Sequence, residues 1–278
     1  MIPRCMSFFW AGTPMSWLRY LSIRSFRAYN LGWEIRLYEP PRPCMPARRK
    51  FSEYDDRDYS GPDYREQLAG LGVGRRTWRP PLPGELSPAH ASDLFQWELL
   101  SGDGGWYSDM DVLYLRPVPD DWSQGDAVFC LEGGGMAIGF MGAAPGCRVF
   151  ADVMAQSCEH LRPGAYQCTG VEAVYRAAGV WPLARNSSGN GVKAVEGFRR
   201  LWPALRINTV PDSSIYYYDW ISYVRLFDYD ERVPPECVGL HWFGGSAISQ
   251  RWNCTLSPQN VQQHSNTLAH YAREVTRA

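Results

Sequence analysis

The chain has 278 residues and a formal net charge of −1, which is long enough for one large domain and gives no general attraction to nucleic acid or to an acidic membrane. It contains no run of about 18 apolar residues, and its beginning is too interrupted for a signal peptide, so we expect neither a membrane span nor a secretory leader. The eight cysteines are scattered without a C-x-x-C pair, which favours free thiols in a reducing compartment. We therefore expect a cytoplasmic protein with a single domain over residues 1–278.

The first forty residues predict a strand, a helix and a second strand. Residues 5–10 are mostly apolar and predict a buried strand, residues 15–29 predict a helix, and residues 33–39 alternate as a strand does. This order is typical of a parallel β-α-β unit. Ligands bind at the carboxyl ends of such strands, so Trp10, at the end of the first strand, is placed to contact one. A place in the hydrophobic core is the alternative for Trp10.

Residues 40–86 differ in composition from their surroundings and predict a loop-rich insertion over the ligand-binding face. We expect a short helix near residues 64–70, and the insertion also contains the basic run Arg48-Arg49-Lys50 and the pair Arg75-Arg76. It is a candidate acceptor-binding or lid region. Basic residues among aromatic ones can also bind nucleic acid, and a solvated loop of mixed charge explains the same composition.

The stretch from Ser87 to Pro117 predicts a helix, a glycine turn and a strand. Ser87 can cap the helix, and its neighbour Pro88 can take the first helical position. The apolar residues that recur at helical spacing and form its buried face are Ala91, Leu94, Phe95 and Leu99. Three glycines then turn the chain into a strand over residues 106–115.

Two aspartates, Asp109 and Asp111, interrupt that strand. Side chains two apart in a strand share a face, so both carboxylates should point the same way, roughly 7 Å apart at the backbone. Two carboxylates so placed repel each other unless a cation lies beside them. Oxygen ligands of this kind suit Mg²⁺ or Mn²⁺, so the pair predicts a metal site. The alternative is an exposed pair at the end of an edge strand.

The second half of the chain predicts two strands around a Gly133-Gly134-Gly135 turn, then helices over residues 145–158 and 171–178. Residues 216–220 form an aromatic cluster without a clear assignment. A further strand ends in His241, and a neutral imidazole is a sound ligand for manganese. Residues 258–278 predict a final helix with weak apolar periodicity, expected to be frayed or packed on the surface.

One segment resembles a known signature. It runs Ser92-Asp93, Leu99-Leu100 and then Gly104-Gly105-Trp106-Tyr107-Ser108-Asp109-Met110-Asp111. This is similar to the SD…R…L…GG-x-Y-x-D-x-D pattern of glycosyltransferases with a DXD-containing sugar-binding region. That family includes yeast Och1-type mannosyltransferases, bacterial capsule and lipooligosaccharide transferases and, remotely, clostridial glucosylating toxins. The opening FFWAG, the Thr169-Gly170 turn and the segment after His241 resemble the same family.

The resemblance implies a GT-A-type α/β domain, with a Rossmann-like mixed central sheet flanked by helices. It implies metal-dependent transfer of a sugar, with retention of configuration, from a nucleoside diphosphate sugar, first of all a UDP-linked one. The implied ligands of Mn²⁺ or Mg²⁺ are Asp109, Asp111 and His241. The implied catalytic residues are Asp93, Asp109 and Asp111. The implied donor contacts are Trp10, which would stack on the base, and Asp93, Gln96, Tyr107, Asp109, Ser246 and Trp252.

Gln96 departs from the family pattern, which has arginine at this position. A neutral amide can hydrogen-bond a sugar hydroxyl but does not offset phosphate charge. A catalytically silent nucleotide-sugar-binding module is therefore an alternative to an enzyme. A metal-dependent phosphoryl hydrolase is another, although the chain has only five, widely spread histidines for a two-metal centre. For a transferase, the acceptor stays open between a glycan, a protein and a modified base in DNA.

Overall fold

The computed structural model describes residues 1–11, 13–44, 59–82, 84, 86–183 and 189–277. The α-helices are α1 (Trp17–Tyr29), α2 (Pro88–Ser101), α3 (Arg148–His160), α4 (Val171–Ala177), α5 (Asn190–Leu201), α6 (Arg225–Asp228), α7 (Ala247–Thr255) and α8 (Thr267–Arg277). Short 3-10 helices span Tyr64–Leu71, Asp120–Gln124, Tyr166–Cys168, Asp212–Ser214 and Val261–Gln263. None of these described helices is both long and apolar enough to cross a bilayer. The eight cysteines all lie in described ranges and are free thiols.

The strands are β1 (Cys5–Phe9), β2 (Glu34–Glu39), β3 (Gly74–Thr77), β4 (Gly105–Ser108), β5 (Val112–Tyr114), β6 (Ala127–Glu132), β7 (Gly135–Ala143), β8 (Ile207–Val210) and β9 (Gly239–His241). Seven of them form one mixed sheet in the order β3-β2-β1-β4-β7-β6-β8. Strands β3, β2, β1 and β4 are parallel, and β7 runs antiparallel between β4 and β6. The predicted α/β class, with a mixed central sheet flanked by helices, is therefore confirmed.

Side chains of the large sheet alternate between two hydrophobic layers, as the period of an extended chain requires. Phe8 and Trp106 pack in one layer with residues of α1 and α8, whereas Phe9 and Tyr107 pack in the other with residues of α2, α3, α4 and α5. The same alternation places Trp10 in the α1 layer.

The predicted single strand over residues 106–115 is wrong. Strand β4 ends at Ser108, and β5 pairs instead with β9 in a separate two-stranded sheet. The backbone N–H of Asp109 still donates to Gly139 O of β7 at 2.8 Å, while the carbonyl of Asp111 accepts from Trp242 N at 2.9 Å. The two aspartates therefore lie where the chain passes from one sheet to the other.

The C-terminal helix also differs from the expectation. Helix α8 begins only at Thr267 and buries an apolar face that includes Leu268, Tyr271 and Val275. This face packs with α1 in the hydrophobic core rather than lying loosely on the surface. The periodicity over residues 258–278 is weak because the first part of that window is a turn and a 3-10 helix, whose residues follow a different spacing.

The predicted insertion is described only in part, and the basic pair Arg48-Arg49 lies outside the described residues. Residues 74–77 form the edge strand β3, which the sequence did not predict. Arg75 on this strand forms an ion pair with Glu39 of β2, with 2.6 Å between the charged atoms. Glu39 also pairs with Arg65 at 3.2 Å, so it offsets only part of the charge of Arg75.

Candidate metal and donor site

Three potential metal ligands converge where the two sheets meet. One oxygen of Asp109, one oxygen of Asp111 and one ring nitrogen of His241 lie within 4.8 Å of one another. The aspartates lie on the β4–β5 connection, and His241 ends β9, which pairs with β5 so that His241 faces Val112. The structure thus brings together the three residues that the resemblance implied as ligands, although the aspartates are not on one continuous strand.

The surroundings of Asp111 fit a bound cation. The side chain is buried, Gly244 N donates to its Oδ2 at 2.6 Å, and the Arg19 guanidinium lies 3.8 Å from the same oxygen. His241 Nε2 lies 3.2 Å from Asp111 Oδ1 but is not aligned as a hydrogen bond. Within the described ranges, Asp111 Oδ1 is thus buried without a hydrogen-bond partner, and so is the other ring nitrogen of His241, Nδ1. Buried polar atoms rarely lack partners, and a divalent cation is a partner that suits this mixture of oxygen and nitrogen.

The charges of the cluster lead to the same conclusion. Burial raises the pKa of Asp109 to about 6, and the charge of Asp111 adds to this shift. Burial acts to raise the pKa of Asp111 too, but His241, Arg19 and the Gly244 N–H outweigh it and hold that pKa below its usual range. Burial acts to lower the pKa of His241, but the two carboxylates outweigh it and raise that pKa. A cation would therefore compete with a proton for Asp109 and for His241.

A hydrogen-bond chain from α2 orients Asp109. Tyr107 Oη donates to Asp109 Oδ1 at 2.5 Å, and Ser92 Oγ lies 2.7 Å from the same hydroxyl. Tyr107 is buried, and burial raises its pKa well above the usual value, so the hydroxyl stays a neutral donor. The structure places Tyr107 behind Asp109, where its hydroxyl positions the carboxylate.

The backbone of β7 passes close behind the same carboxylate at Gly139. A Cβ atom at this position would lie 2.5 Å from Asp109 Oδ2 and 2.7 Å from the hydroxyl of Tyr216. Only glycine fits such an approach without a shift of one neighbour. The role of Gly139 is not predictable from the sequence, since a single glycine within a strand gives no sign of what lies opposite.

Replacing Gly139 with alanine should therefore displace the Asp109 carboxylate and weaken the cation site. We expect Mn²⁺ affinity to fall about tenfold, since disturbing the surroundings that orient a metal ligand typically costs about 10- to 100-fold in affinity. This affinity is measured in a Mn²⁺ titration, with the free ion followed by electron paramagnetic resonance. Gly70→Ala, where a Cβ meets nothing within 4 Å, is the matched control. Unchanged Mn²⁺ affinity in a cooperatively melting Gly139→Ala protein contradicts the assignment.

Arg19, which the sequence analysis did not select, lies beside the cluster on α1. Its guanidinium carbon lies 4.7 Å from the centre of the Trp242 ring and 5.8 Å from that of Trp10, close enough for cation–π contact. A Cβ atom at Gly244 would meet its guanidinium nitrogens at 2.5 and 2.7 Å. Trp10 itself is only 5% exposed, and its role at a nucleobase stays a prediction.

Asp93 and Gln96 lie three residues apart on α2, and Asp93 contacts the turn that contains Thr169. The hydroxyl of Thr169 donates to Asp93 Oδ2 at 2.8 Å, and a Cβ at Gly170 would lie 3.0 Å from that oxygen. Gln96 is 1% exposed, and its Nε2 has no hydrogen-bond partner in the part of the chain that the structure describes. A buried amide of this kind favours a ligand with oxygen acceptors.

Ser246 and Trp252, the other predicted donor contacts, belong to α7. Ser246 caps this helix, and its Oγ accepts from Ser249 N at 3.2 Å. The ring of Trp252 stacks on Phe227, with 6.0 Å between ring centres, and meets His264 edge-on. Contacts of these two residues with a diphosphate stay predictions.

Comparison with known proteins gives structural neighbours alone. No family model matches the chain, and no curated protein matches it in sequence. The PaToxG glycosyltransferase aligns with 72% of this chain and 78% of its own, at 12% identity and a TM-score of 0.41. GlyE of Streptococcus pneumoniae, also a glycosyltransferase, aligns with 100% of this chain, which spans only 61% of GlyE, at 12% identity and a TM-score of 0.45. An active-site mutant of LgtC aligns with 98% of this chain and 95% of its own, at 12% identity and a TM-score of 0.46.

Proposed function

We propose that the chain is a single GT-A-type domain that transfers a sugar, with retention of configuration, from a UDP-linked donor to an acceptor in a metal-dependent reaction. The observation that carries the proposal is the cluster of Asp109, Asp111 and His241 at the junction of the two sheets. Asp109 directly follows β4, and Trp10 directly follows the parallel strand β1. Both therefore lie at the carboxyl ends of parallel strands, where α/β sheets bind ligands.

A divalent cation held by Asp109, Asp111 and His241 would bind diphosphate oxygens and neutralise the charge on the departing nucleoside diphosphate. The Arg19 guanidinium lies 3.8 Å from Asp111 Oδ2 and adds a largely buried positive charge beside the cation site. A diphosphate held by the cation would be attracted by this charge. The aromatic faces of Trp10 and Trp242 keep the guanidinium in place in the absence of that anion. We therefore assign Arg19 to the diphosphate.

Asp93 and Gln96 are assigned to the transferred sugar. Their spacing on α2 makes the two side chains neighbours. Thr169 fixes the Asp93 carboxylate, and the Gln96 amide offers N–H groups that a sugar hydroxyl oxygen accepts. A carboxylate acceptor beside an amide donor suits a group with several hydroxyls, each of which both donates and accepts.

Replacing Gln96 with alanine should lower both sugar transfer and donor hydrolysis about tenfold, because one buried hydrogen bond to the sugar is lost. The affinity for free UDP, which lacks the sugar, should change by less than about twofold. Release of UDP from the donor measures the first effect, and calorimetry with UDP and Mn²⁺ measures the second. Gln124→Ala, on an exposed 3-10 helix, is the control. A matching loss of UDP affinity contradicts the assignment of Gln96 to the sugar.

The proposed function is tested with UDP-glucose, UDP-galactose, UDP-N-acetylglucosamine and GDP-mannose. Mn²⁺-dependent binding and slow hydrolysis of a UDP-linked donor are expected, since water is a poor substitute for the acceptor. Binding without any hydrolysis or transfer supports the silent binding module instead. An absence of binding to all four donors, in folded protein with Mn²⁺ present, contradicts both.

A further inference from the structure

An aromatic surface leads from the cluster to solvent. We call the rings of Trp220, Tyr223 and Phe243, together with the adjoining side chain of Ile221, the aromatic platform. The Phe243 ring lies 4.4 Å from the His241 imidazole and 5.5 Å from the Trp220 ring, between centres. Trp220 stacks on Tyr223, with 5.2 Å between ring centres. Trp220 is 49% exposed and Ile221 is 87% exposed, so the platform begins at a candidate metal ligand and ends in water.

The platform is held rigidly. Asp219 Oδ1 accepts hydrogen bonds from Ser222 N at 2.9 Å and from Ser222 Oγ at 2.6 Å, which closes the turn that carries Trp220. The backbone N–H of Trp220 donates to Glu132 Oε1 at 2.6 Å, which joins the turn to the β6–β7 hairpin. Exposed aromatic groups on a fixed turn lose little freedom when a ligand binds.

The backbone of Phe243 is strained. Its φ is 49°, in the left-handed region that a bulky residue rarely adopts. Such strain persists where surrounding contacts impose it, and it concentrates at functional sites. Here it keeps the Phe243 ring between the imidazole of His241 and the Trp220 ring. The strain lies at the buried inner end of the platform, beside His241, and the exposed apolar end at Trp220 and Ile221 is of the kind that marks binding surfaces.

The charges at the platform select among ligands. Glu132 and Asp219, which hold the turn, place two carboxylates at its edge. Carboxylates repel a phosphodiester backbone and accept hydrogen bonds from hydroxyl groups. An aromatic ring offers an apolar face to the C–H side of a sugar. The combination suits a neutral ligand that has hydroxyl groups and an apolar face.

We propose that the aromatic platform binds the acceptor and that the acceptor is a neutral glycan, with one sugar ring lying on Trp220. This inference rests on the proposed function. The contacts from Trp220 through Phe243 to His241 direct an acceptor hydroxyl towards the donor. Its oxygen forms a bond to the anomeric carbon of the donor sugar, and the bond from that carbon to the diphosphate oxygen breaks. The electron pair leaves with the nucleoside diphosphate, which also takes the hydroxyl proton.

The test measures transfer and donor hydrolysis in the same enzyme. The donor is a UDP-sugar that the protein hydrolyses in the presence of Mn²⁺. UDP release without an acceptor gives the rate of hydrolysis, and the increase with maltotriose, cellotriose or chitotriose gives the rate of transfer. In Trp220→Ala, the ratio of transfer to hydrolysis should fall about tenfold through a higher acceptor KM, because one stacking contact is lost. Trp220→Tyr keeps an aromatic face and should restore most of the ratio. Tyr229→Ala removes an exposed aromatic at the end of α6 and should leave the ratio unchanged.

Each other outcome is decisive. An equal ratio in Trp220→Ala and the unaltered protein overturns the proposal. Donor hydrolysis without transfer to any of the three neutral trisaccharides also overturns it. Transfer to a protein or to DNA with a modified base, again dependent on Trp220, overturns the glycan assignment. If no donor binds the unaltered protein at all, the proposed function itself fails, and the assignment of the platform fails with it.

Discussion

Replacing Asp111 with asparagine should lower sugar transfer by about a hundredfold or more while the protein stays folded, because stabilisation of developing charge is commonly the largest catalytic term. The carboxylate of Asp111 faces His241 on one side and the Gly244 N–H and Arg19 on the other. An amide carries no charge to attract a cation. In either orientation its NH₂ group would face His241 or the Gly244 N–H and Arg19, in place of a carboxylate oxygen. Both metal binding and charge balance are therefore lost.

The measurement is UDP release at saturating donor across a Mn²⁺ titration, with thermal melting to verify the fold. Asp103→Asn is the matched control, because Asp103 is exposed and lies 4.0 Å from Arg36 at the protein surface. Normal rates in the presence of a chelator contradict the metal assignment. So does an Asp111→Asn enzyme that keeps most of its turnover.

Replacing Arg19 with glutamine should weaken UDP binding by about 30- to 100-fold, since truncating a buried charged partner of an anion has effects of this size. Binding of uridine, which has no phosphate, should change little. Binding of Mn²⁺ alone should be unchanged or tighter, because Arg19 is a positive charge beside Asp111. Calorimetry with UDP, uridine and Mn²⁺ measures the three affinities separately. A purely structural role of Arg19 does not predict a loss of UDP affinity with uridine and Mn²⁺ affinities retained.

Two further variants sharpen the assignment of Arg19. Arg19→Lys keeps the charge but loses the planar fork that matches phosphate oxygens, so its UDP affinity should lie between those of the unaltered protein and Arg19→Gln. Arg24→Gln, on the same helix, is the control, because Arg24 donates to Thr276 O at 2.6 Å in α8. Equal losses of UDP and uridine affinity in Arg19→Gln show a general disturbance of the site and contradict contact with the diphosphate.

Local chemistry made several elements predictable from the sequence. The Ser87 hydroxyl accepts from His90 N at 3.2 Å and begins α2, as a serine before proline indicates. The β6–β7 hairpin turns at Gly133 and Gly134, whose φ angles of 54° and 81° are ones that glycine adopts easily. In both places a few neighbouring residues decide the structure, so a local pattern suffices.

The features that the sequence did not predict depend on distant parts of the chain. The break between β4 and β5 leaves no periodic signal, because the residues on both sides are buried. Arginine is a surface residue by type, and the partial burial of Arg19 depends on distant residues, since Trp10, Trp242 and Asp111 all lie beside its guanidinium. In the candidate site, too, features set by neighbouring residues were predictable and features set by distant residues were not. The aspartate pair was found from its spacing, whereas the positioning roles of Gly139 and Tyr107 needed the packed structure.

The pairing of β5 with β9 makes completion of the cluster of Asp109, Asp111 and His241 a late event in folding. Gly244, which donates to Asp111, lies 133 residues further along the chain. Contacts of such long sequence separation form late in folding, because closing the loop between them costs entropy. During synthesis the aspartates emerge long before His241, and an incomplete chain has carboxylates without their imidazole partner. In a transferase of the proposed kind, a nascent or misfolded chain would therefore not consume nucleotide sugar, and turnover would show that the last third of the chain has docked.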